Sequence, residues 1–136
     1  MILVIETDGE LPLYQQLRDR VVEAIAAGEL RSGDSLPATR QLAADLGINM
    51  HTVNKAYDML RREGFIRLAR RTGAVVIRDA GSGPPASGDV AAHWEPRART
   101  LLAEAVAQGL SPAEIQRRCQ EILDGLLAGQ ATRSRS

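Results

Sequence analysis

Aromatic residues are scarce: only Tyr14, Tyr57, Phe65 and Trp94 occur among 136 positions, so a core has to be built mainly from Leu, Val, Ile and Ala. The one cysteine, Cys119, excludes a disulfide within the chain and fits a reducing compartment. No apolar run approaches the roughly 18 residues that a membrane span needs. Residues 1–5 are apolar, yet they lack a basic start and are too short for a secretory leader, so a cytoplasmic location is expected and no membrane partner. Glycine-rich phosphate loops, triad spacings and paired carboxylates are all missing, which leaves no basis for an enzyme. His51, His93 and Cys119 do not have metal-site spacing, and no metal or cofactor is expected.

Net charge is also missing, the formal sum being zero. That does not exclude a nucleic-acid partner, because placement of charge matters more than its total. Between residues 40 and 78 stand eight basic residues (Arg40, Lys55, Arg61, Arg62, Arg67, Arg70, Arg71, Arg78) against three acidic ones (Asp45, Asp58, Glu63). The first ten residues carry Glu6, Asp8 and Glu10 instead.

Residues 2–5 read as a short strand ended by Asp8-Gly9. A helix is predicted over about 13–27, where Leu13, Leu17, Val21 and Ile25 recur every four positions, and Gly28 closes it. After a turn at 31–34, Leu36-Pro37 leads into a short helix over 39–46 that buries Leu42, Ala43 and Leu46. Gly47-Ile48-Asn49 leaves room only for a tight turn. The next helix runs from Met50 to Glu63, with Val53, Ala56, Tyr57 and Leu60 inward and Thr52, Asn54, Lys55 and Asp58 outward. Two helices so joined hold the second one proud of the domain, where its first residues can enter a DNA major groove. Strands over 65–69 and 74–78 flank Arg70-Arg71-Thr72-Gly73, a hairpin with glycine where positive φ is needed. Three helices and a hairpin make a winged helix.

Residues 80–88 change to Gly, Ser, Pro and Ala, so a linker is placed over 80–92. Two helices follow, over about 95–108 and 112–127. Ser111 is the expected N-cap of the second, with Pro112 in its first turn and Glu114 three residues after the cap. Ile115, Cys119, Ile122, Leu123 and Leu126 form its apolar stripe; Leu101, Leu102, Ala105 and Val106 form that of its neighbour. Two helices on a linker cannot bury both stripes alone, so a second copy is the expected partner. Trp94 is expected to anchor the fourth helix by burial, Cys119 to be a buried thiol, and the tail from Gly129 to be disordered. The fold class is thus mainly α with a small β-hairpin: a winged helix-turn-helix domain over 1–79, the linker, a two-helix dimerisation region over 93–128, and a tail over 129–136.

The succession Pro12-Leu13-Tyr14-Gln15-Gln16-Leu17, Gly28-Glu29-Leu30, Gly33-Asp34-Ser35-Leu36-Pro37 resembles the opening of the GntR family of bacterial transcription regulators. The likeness continues through Arg40-Gln41-Leu42-Ala43, Thr52-Val53, Ala56-Tyr57, Leu60, Glu63-Gly64 and Gly73. The short two-helix region that follows resembles the YtrA-like subfamily, in which it serves dimerisation. The resemblance implies DNA contact for Arg40, for Asn49, His51 and Thr52 at the start of the recognition helix, and for Asn54. It also implies a wing glycine at Gly73 that approaches the minor groove, and places Met50 where many members carry a base-reading Arg.

Physical chemistry adds to these roles. A helix N-terminus at Asn49 and Thr52 favours a phosphate, and His51, Asn54 and Lys55 can reach base edges or phosphates. Arg70 and Arg71, with Thr72 beside them, suit a narrow minor groove. The function expected is a homodimeric repressor on a palindromic double-stranded operator. The rivals are a winged-helix protein-interaction module and a non-specific architectural DNA binder. A small-molecule effector stays open as a further partner; the short C-terminal region offers little volume, which leaves the dimer interface for it.

Overall fold

The computed structural model describes residues 3–69, 73–83 and 89–134, with side chains as far as Gly129. Arg70, Arg71 and Thr72 therefore lie outside the described residues, as do residues 84–88 of the expected linker. The chain divides into two compact units, residues 1–82 with 126–136, and residues 83–125.

In the first unit, helix α1 (Leu13–Ala26) buries Leu17, Val21, Ala24 and Ile25, a spacing that puts one face of the helix inward. Helices α2 (Thr39–Leu46) and α3 (Met50–Arg62) follow with the expected bounds to within a residue. Gly47, at φ +68°, takes the left-handed conformation that ends α2, and Ile48 N–H donates to the Ala43 carbonyl at 3.0 Å. Val53, Ala56, Tyr57 and Leu60 of α3 complete one core with α1, Leu42 and Ala43 of α2, and the sheet residues Leu36, Ile66, Ala74 and Val76. Full burial of each large apolar side chain stabilises by about 1.5–3 kcal/mol.

The sheet has three strands in the order β1 (Ser35–Leu36), β3 (Gly73–Val76), β2 (Ile66–Ala69), all antiparallel. Leu36 pairs with Ala74, Ile66 with Val76, and Ala69 with Gly73. The two wing strands were expected; β1 was not, since two residues are too few to carry an alternation. The expected N-terminal strand is not formed at residues 3–6, and residue 2 lies outside the described residues. Gln16 holds that segment instead. Its buried side chain accepts from Glu6 N–H at 2.7 Å and donates to the carbonyls of Glu6 and Leu11 at 2.9 and 2.8 Å. One amide thus satisfies both backbone groups of Glu6, which a strand would otherwise have paired.

Two contacts converge on the junction between β1 and α2. The buried Tyr57 hydroxyl donates to the Pro37 carbonyl at 2.7 Å, tying α3 to the junction. Gly73, at φ +85°, lies so close on the other side that a Cβ there would sit 2.4–2.6 Å from Leu36 O, Pro37 C and Ala38 N. A second tie joins α1 to the end of α3: Arg18 Nε donates to Glu63 Oε1 at 3.0 Å, and its Nη2 pairs with Oε2 in a two-pronged bond.

Helix α4 (Asp89–Ala107) starts six residues ahead of the expected position, so residues 89–92 belong to a helix rather than to the linker. It accommodates Pro96 in its interior, where the prolyl ring removes one helical donor. Helix α5 (Pro112–Ser134) is capped as expected, Glu114 N–H donating to Ser111 Oγ at 3.2 Å. The Glu114 carboxylate turns forward to Arg118 instead of back to the cap.

Three expectations in the C-terminal part fare differently within the single chain. Trp94 is 53% exposed, and Cys119 is exposed on a stripe that the chain itself leaves open. The tail from Gly129 is helical to Ser134, and Gly129 itself lies against Ala27, where a Cβ would stand 2.6 Å from the Ala27 carbonyl oxygen. The apolar stripes are as exposed as two lone helices require. Leu101, Leu102, Val106, Ile122 and Leu123 face outward, while Ala105, Ile115 and Leu126 are half-buried.

Gly73→Ala is expected to cost about 2–4 kcal/mol, through positive-φ strain and overlap with the junction backbone. Tyr57→Phe is expected to cost about 1 kcal/mol. Urea unfolding checks both, and an unchanged midpoint for Gly73→Ala would mean that the junction yields.

Candidate nucleic-acid interface

Within the first two turns of α3, His51, Asn54 and Lys55 are exposed because Val53, Ala56, Tyr57 and Leu60 commit the other face to the core. Asn49 takes extended backbone angles just outside the helix, and its Oδ1 accepts from His51 N–H at 2.8 Å. That bond satisfies one of the donors a helix start leaves open, and the remaining amides keep the helix end positive. His51, Asn54 and Lys55 are exposed along the next two turns, and Thr52 is half-buried between them. Met50, expected at the same surface, is half-buried, with part of its side chain packed on the core.

Basic charge is arranged unevenly along α3. Arg61 and Arg62 both turn back to Asp58, at 2.6 and 2.7 Å. The hydrogen bond from Arg61, aided by the charge of Arg62, holds the Asp58 carboxyl below the usual carboxylate range. One carboxylate thus serves two guanidinium groups, and the end of the helix keeps part of its positive charge. Arg40, exposed at the second position of α2, and Arg67, exposed on β2, have no acidic partner among the described residues. Lys55 places its ammonium 3.9 Å from the ring centroid of Tyr14, near the start of α1.

The wing strands β2 and β3 bring the chain out to residue 69 and back at residue 73. Gly73 was expected for its approach to DNA; in the structure its lack of a side chain is required by the β1–α2 junction. The same junction holds Tyr57, so wing and recognition helix share one support. Sequence reasoning missed Tyr14, the Tyr57–Pro37 bond and the Arg18–Glu63 tie. Each is a contact between distant segments, for which no local pattern exists.

Elsewhere in the first unit, a cleft of about 450 Å³ is lined by Ile25, Arg31, Ser32, Asp79 and Ala80. The Asp79 carboxylate there accepts from Ser32 and Gly81 N–H, both at 2.8 Å, and these bonds hold it below its ordinary pKa range. Among the described residues no group of three or more His, Cys, Asp or Glu is placed to hold a metal ion.

Comparison with known proteins follows the same lines. The model of the gntR family of bacterial regulatory proteins matches residues 13–76. A solved structure of YtrA from Sulfolobus acidocaldarius, a GntR-family transcription factor, is 38% identical and superposes with a TM-score of 0.59, over 79% of this chain and 99% of that one. The chain belongs to the GntR family. As a GntR protein it falls in the YtrA-like branch, being also 34% identical over 79 residues to the HTH-type transcriptional repressor YtrA of Bacillus subtilis. That match covers 58% of this chain and 61% of the repressor. The probable rhizopine catabolism regulatory protein MocR of Rhizobium meliloti is 36% identical over 75 residues, and the match spans only 15% of its length. A transcriptional antiterminator from Listeria monocytogenes shares the architecture at a TM-score of 0.79 and 25% identity, with 89% of each chain covered. The mainly helical, winged-helix fold expected from the sequence is thus the GntR fold.

Asn49→Ala is expected to lower stability by about 1 kcal/mol through loss of the cap. The exposed His51→Ala should stay within about 0.5 kcal/mol. Thermal melts of the two variants side by side check the difference.

Proposed function

We propose that this GntR protein is a sequence-specific transcription regulator, a homodimeric repressor that binds a palindromic double-stranded DNA operator. One observation carries the reading. The capped start of α3 presents His51, Asn54 and Lys55 to solvent, and the wing is fastened to the same junction that fastens α3. A rigid helix start with an adjoining strand pair is suited to enter a major groove while the wing follows the minor groove. Arg40, Asn49, Thr52 and Gly73 belong to this surface in our reading, and Arg70, Arg71 and Thr72, which lie outside the described residues, are assigned to it from the sequence. The reading is supported by the repressor named among the YtrA relatives.

The homodimer follows from the C-terminal helices. Leu101, Leu102, Ala105, Ile115, Cys119, Ile122, Leu123 and Leu126 would form its interface, since among the described residues α4 and α5 do not pack along each other. A palindromic operator then matches a two-fold protein. A small-molecule effector would act at this interface. Among the described residues no helix is long and apolar enough to cross a membrane, and the cytoplasm is the proposed place of work.

Selection from a random duplex pool, followed by titration of the winner against its scramble at fixed salt, tests the main reading. A palindromic winner is expected, preferred by at least about 10³-fold. Equal affinity for both would favour an architectural binder, and no DNA binding at all a protein-interaction module. For the dimer, Leu123→Asp should convert the chain to a monomer in light scattering and weaken binding to paired half-sites; a variant that stays dimeric would remove this stripe from the interface.

A further inference from the structure

Lys55 is the only lysine of the chain, and it stands on α3 between the exposed residues His51 and Asn54 and the Asp58–Arg61–Arg62 group of the last turn. Its ammonium lies over the face of Tyr14, 3.9 Å from the ring centroid. The acid one turn further on, Asp58, is occupied by Arg61 and Arg62, and no carboxylate among the described residues pairs with Lys55. Tyr14 is half-buried against the core, so the ring is itself a fixed platform.

The chemical difference between a ring and a carboxylate matters here. A carboxylate would hold the ammonium by cancelling its charge, and a phosphate would then have to compete for it. An aromatic face attracts the cation through its quadrupole and leaves the unit charge intact. The three N–H donors of the ammonium also stay available for an anion on the open side. Ordering a flexible four-carbon side chain before binding removes part of the entropy that binding would otherwise cost.

We propose that Tyr14 is a positioning residue of the DNA interface, holding the uncompensated Lys55 ammonium in place for a backbone phosphate. The proposal rests on the DNA-binding reading and places one of its parts on α1, outside the helix-turn-helix. A phosphate contact acts on any sequence, so the test needs no identified operator.

The experiment is a double-mutant cycle in the full chain. Affinity for a random-sequence duplex of about 20 base pairs is measured across a salt series for wild type, Tyr14→Phe, Tyr14→Leu, Tyr14→Met, Lys55→Gln, and each of the last two Tyr14 variants combined with Lys55→Gln. Lys55→Gln should weaken binding and flatten the slope of log affinity against log salt by about 0.9, the value for one phosphate. Tyr14→Leu and Tyr14→Met, which keep apolar bulk but lose the π face, should weaken binding about two- to fivefold. Tyr14→Phe should match wild type, and in the Lys55→Gln background loss of the ring should cost nothing further.

Because Lys55 is the one lysine, selective isotope labelling gives a single-residue spectrum. Its ε-methylene should show an upfield ring-current shift in wild type and Tyr14→Phe, lost in Tyr14→Leu. Additive effects on affinity would overturn the proposal. So would coupling seen in melting midpoints but not in affinity, which would make Tyr14 a purely structural partner. If wild type binds no duplex while the ring-current shift is present, the DNA reading fails and the proposed role fails with it. If wild type binds but the shift is absent, the role of Tyr14 alone fails.

Discussion

The backbone between Leu36 and Ala38 has to accept two close neighbours at once, and the rest of the reading surface depends on its doing so. On one side the Tyr57 hydroxyl reaches the Pro37 carbonyl; on the other the bare Cα of Gly73 presses in where no side chain would fit. Pro37 suits the position because proline offers a carbonyl acceptor without an N–H that would need a partner of its own. Leu36 pairs with Ala74 one residue along, so strand register and side-chain hydrogen bond fix the same place. Recognition helix and wing are set by a common origin rather than by separate loops.

Electrostatics on this surface follows from which charges are spent internally. Arg18 is committed to Glu63 and Asp19, and Arg61 and Arg62 to Asp58. Raw counts of basic residues between 40 and 78 therefore overstate what a polyanion would meet. Asp58 cancels only one of its two arginine charges; the other adds to those of Arg40, Lys55 and Arg67, which pair with no acid among the described residues. Exposed ion pairs contribute little to stability, so the pairing at Asp58 matters more for where the field points than for how firmly the helix holds.

Much of this was legible in the sequence where the signal was local. The bounds of α2 and α3 followed from Gly47, the Asn49 cap and the spacing of Val53, Ala56, Tyr57 and Leu60, all within a few residues of one another. The wing strands followed from their turn glycine. What escaped was non-local or too short to have a period. Strand β1 has two residues and exists because β3 offers it an edge. The apolar start at residues 2–5 reads as a strand by composition, but its described part is held by the Gln16 amide. Trp94 and Cys119 read as buried because they lie with apolar neighbours, whereas α4 and α5 leave these residues open within the single chain. At the candidate site, the exposed face of α3 was legible from its periodicity. The ring beneath Lys55 was not, since Tyr14 and Lys55 are 41 positions apart in the sequence.

The shared core under helix and wing also governs how the molecule fails. Val53, Tyr57 and Leu60 of α3 belong to one cluster with Ile66, Ala74 and Val76 of the wing strands and with Leu17 and Val21 of α1. Heating cannot loosen the wing and leave the helix standing, because neither has a hydrophobic store of its own. Loss of structure in this unit is then all-or-none, as in other small domains with one core. Helix and wing should then be lost over the same narrow span of temperature, so that heat removes the whole surface at once and does not blunt one half of it.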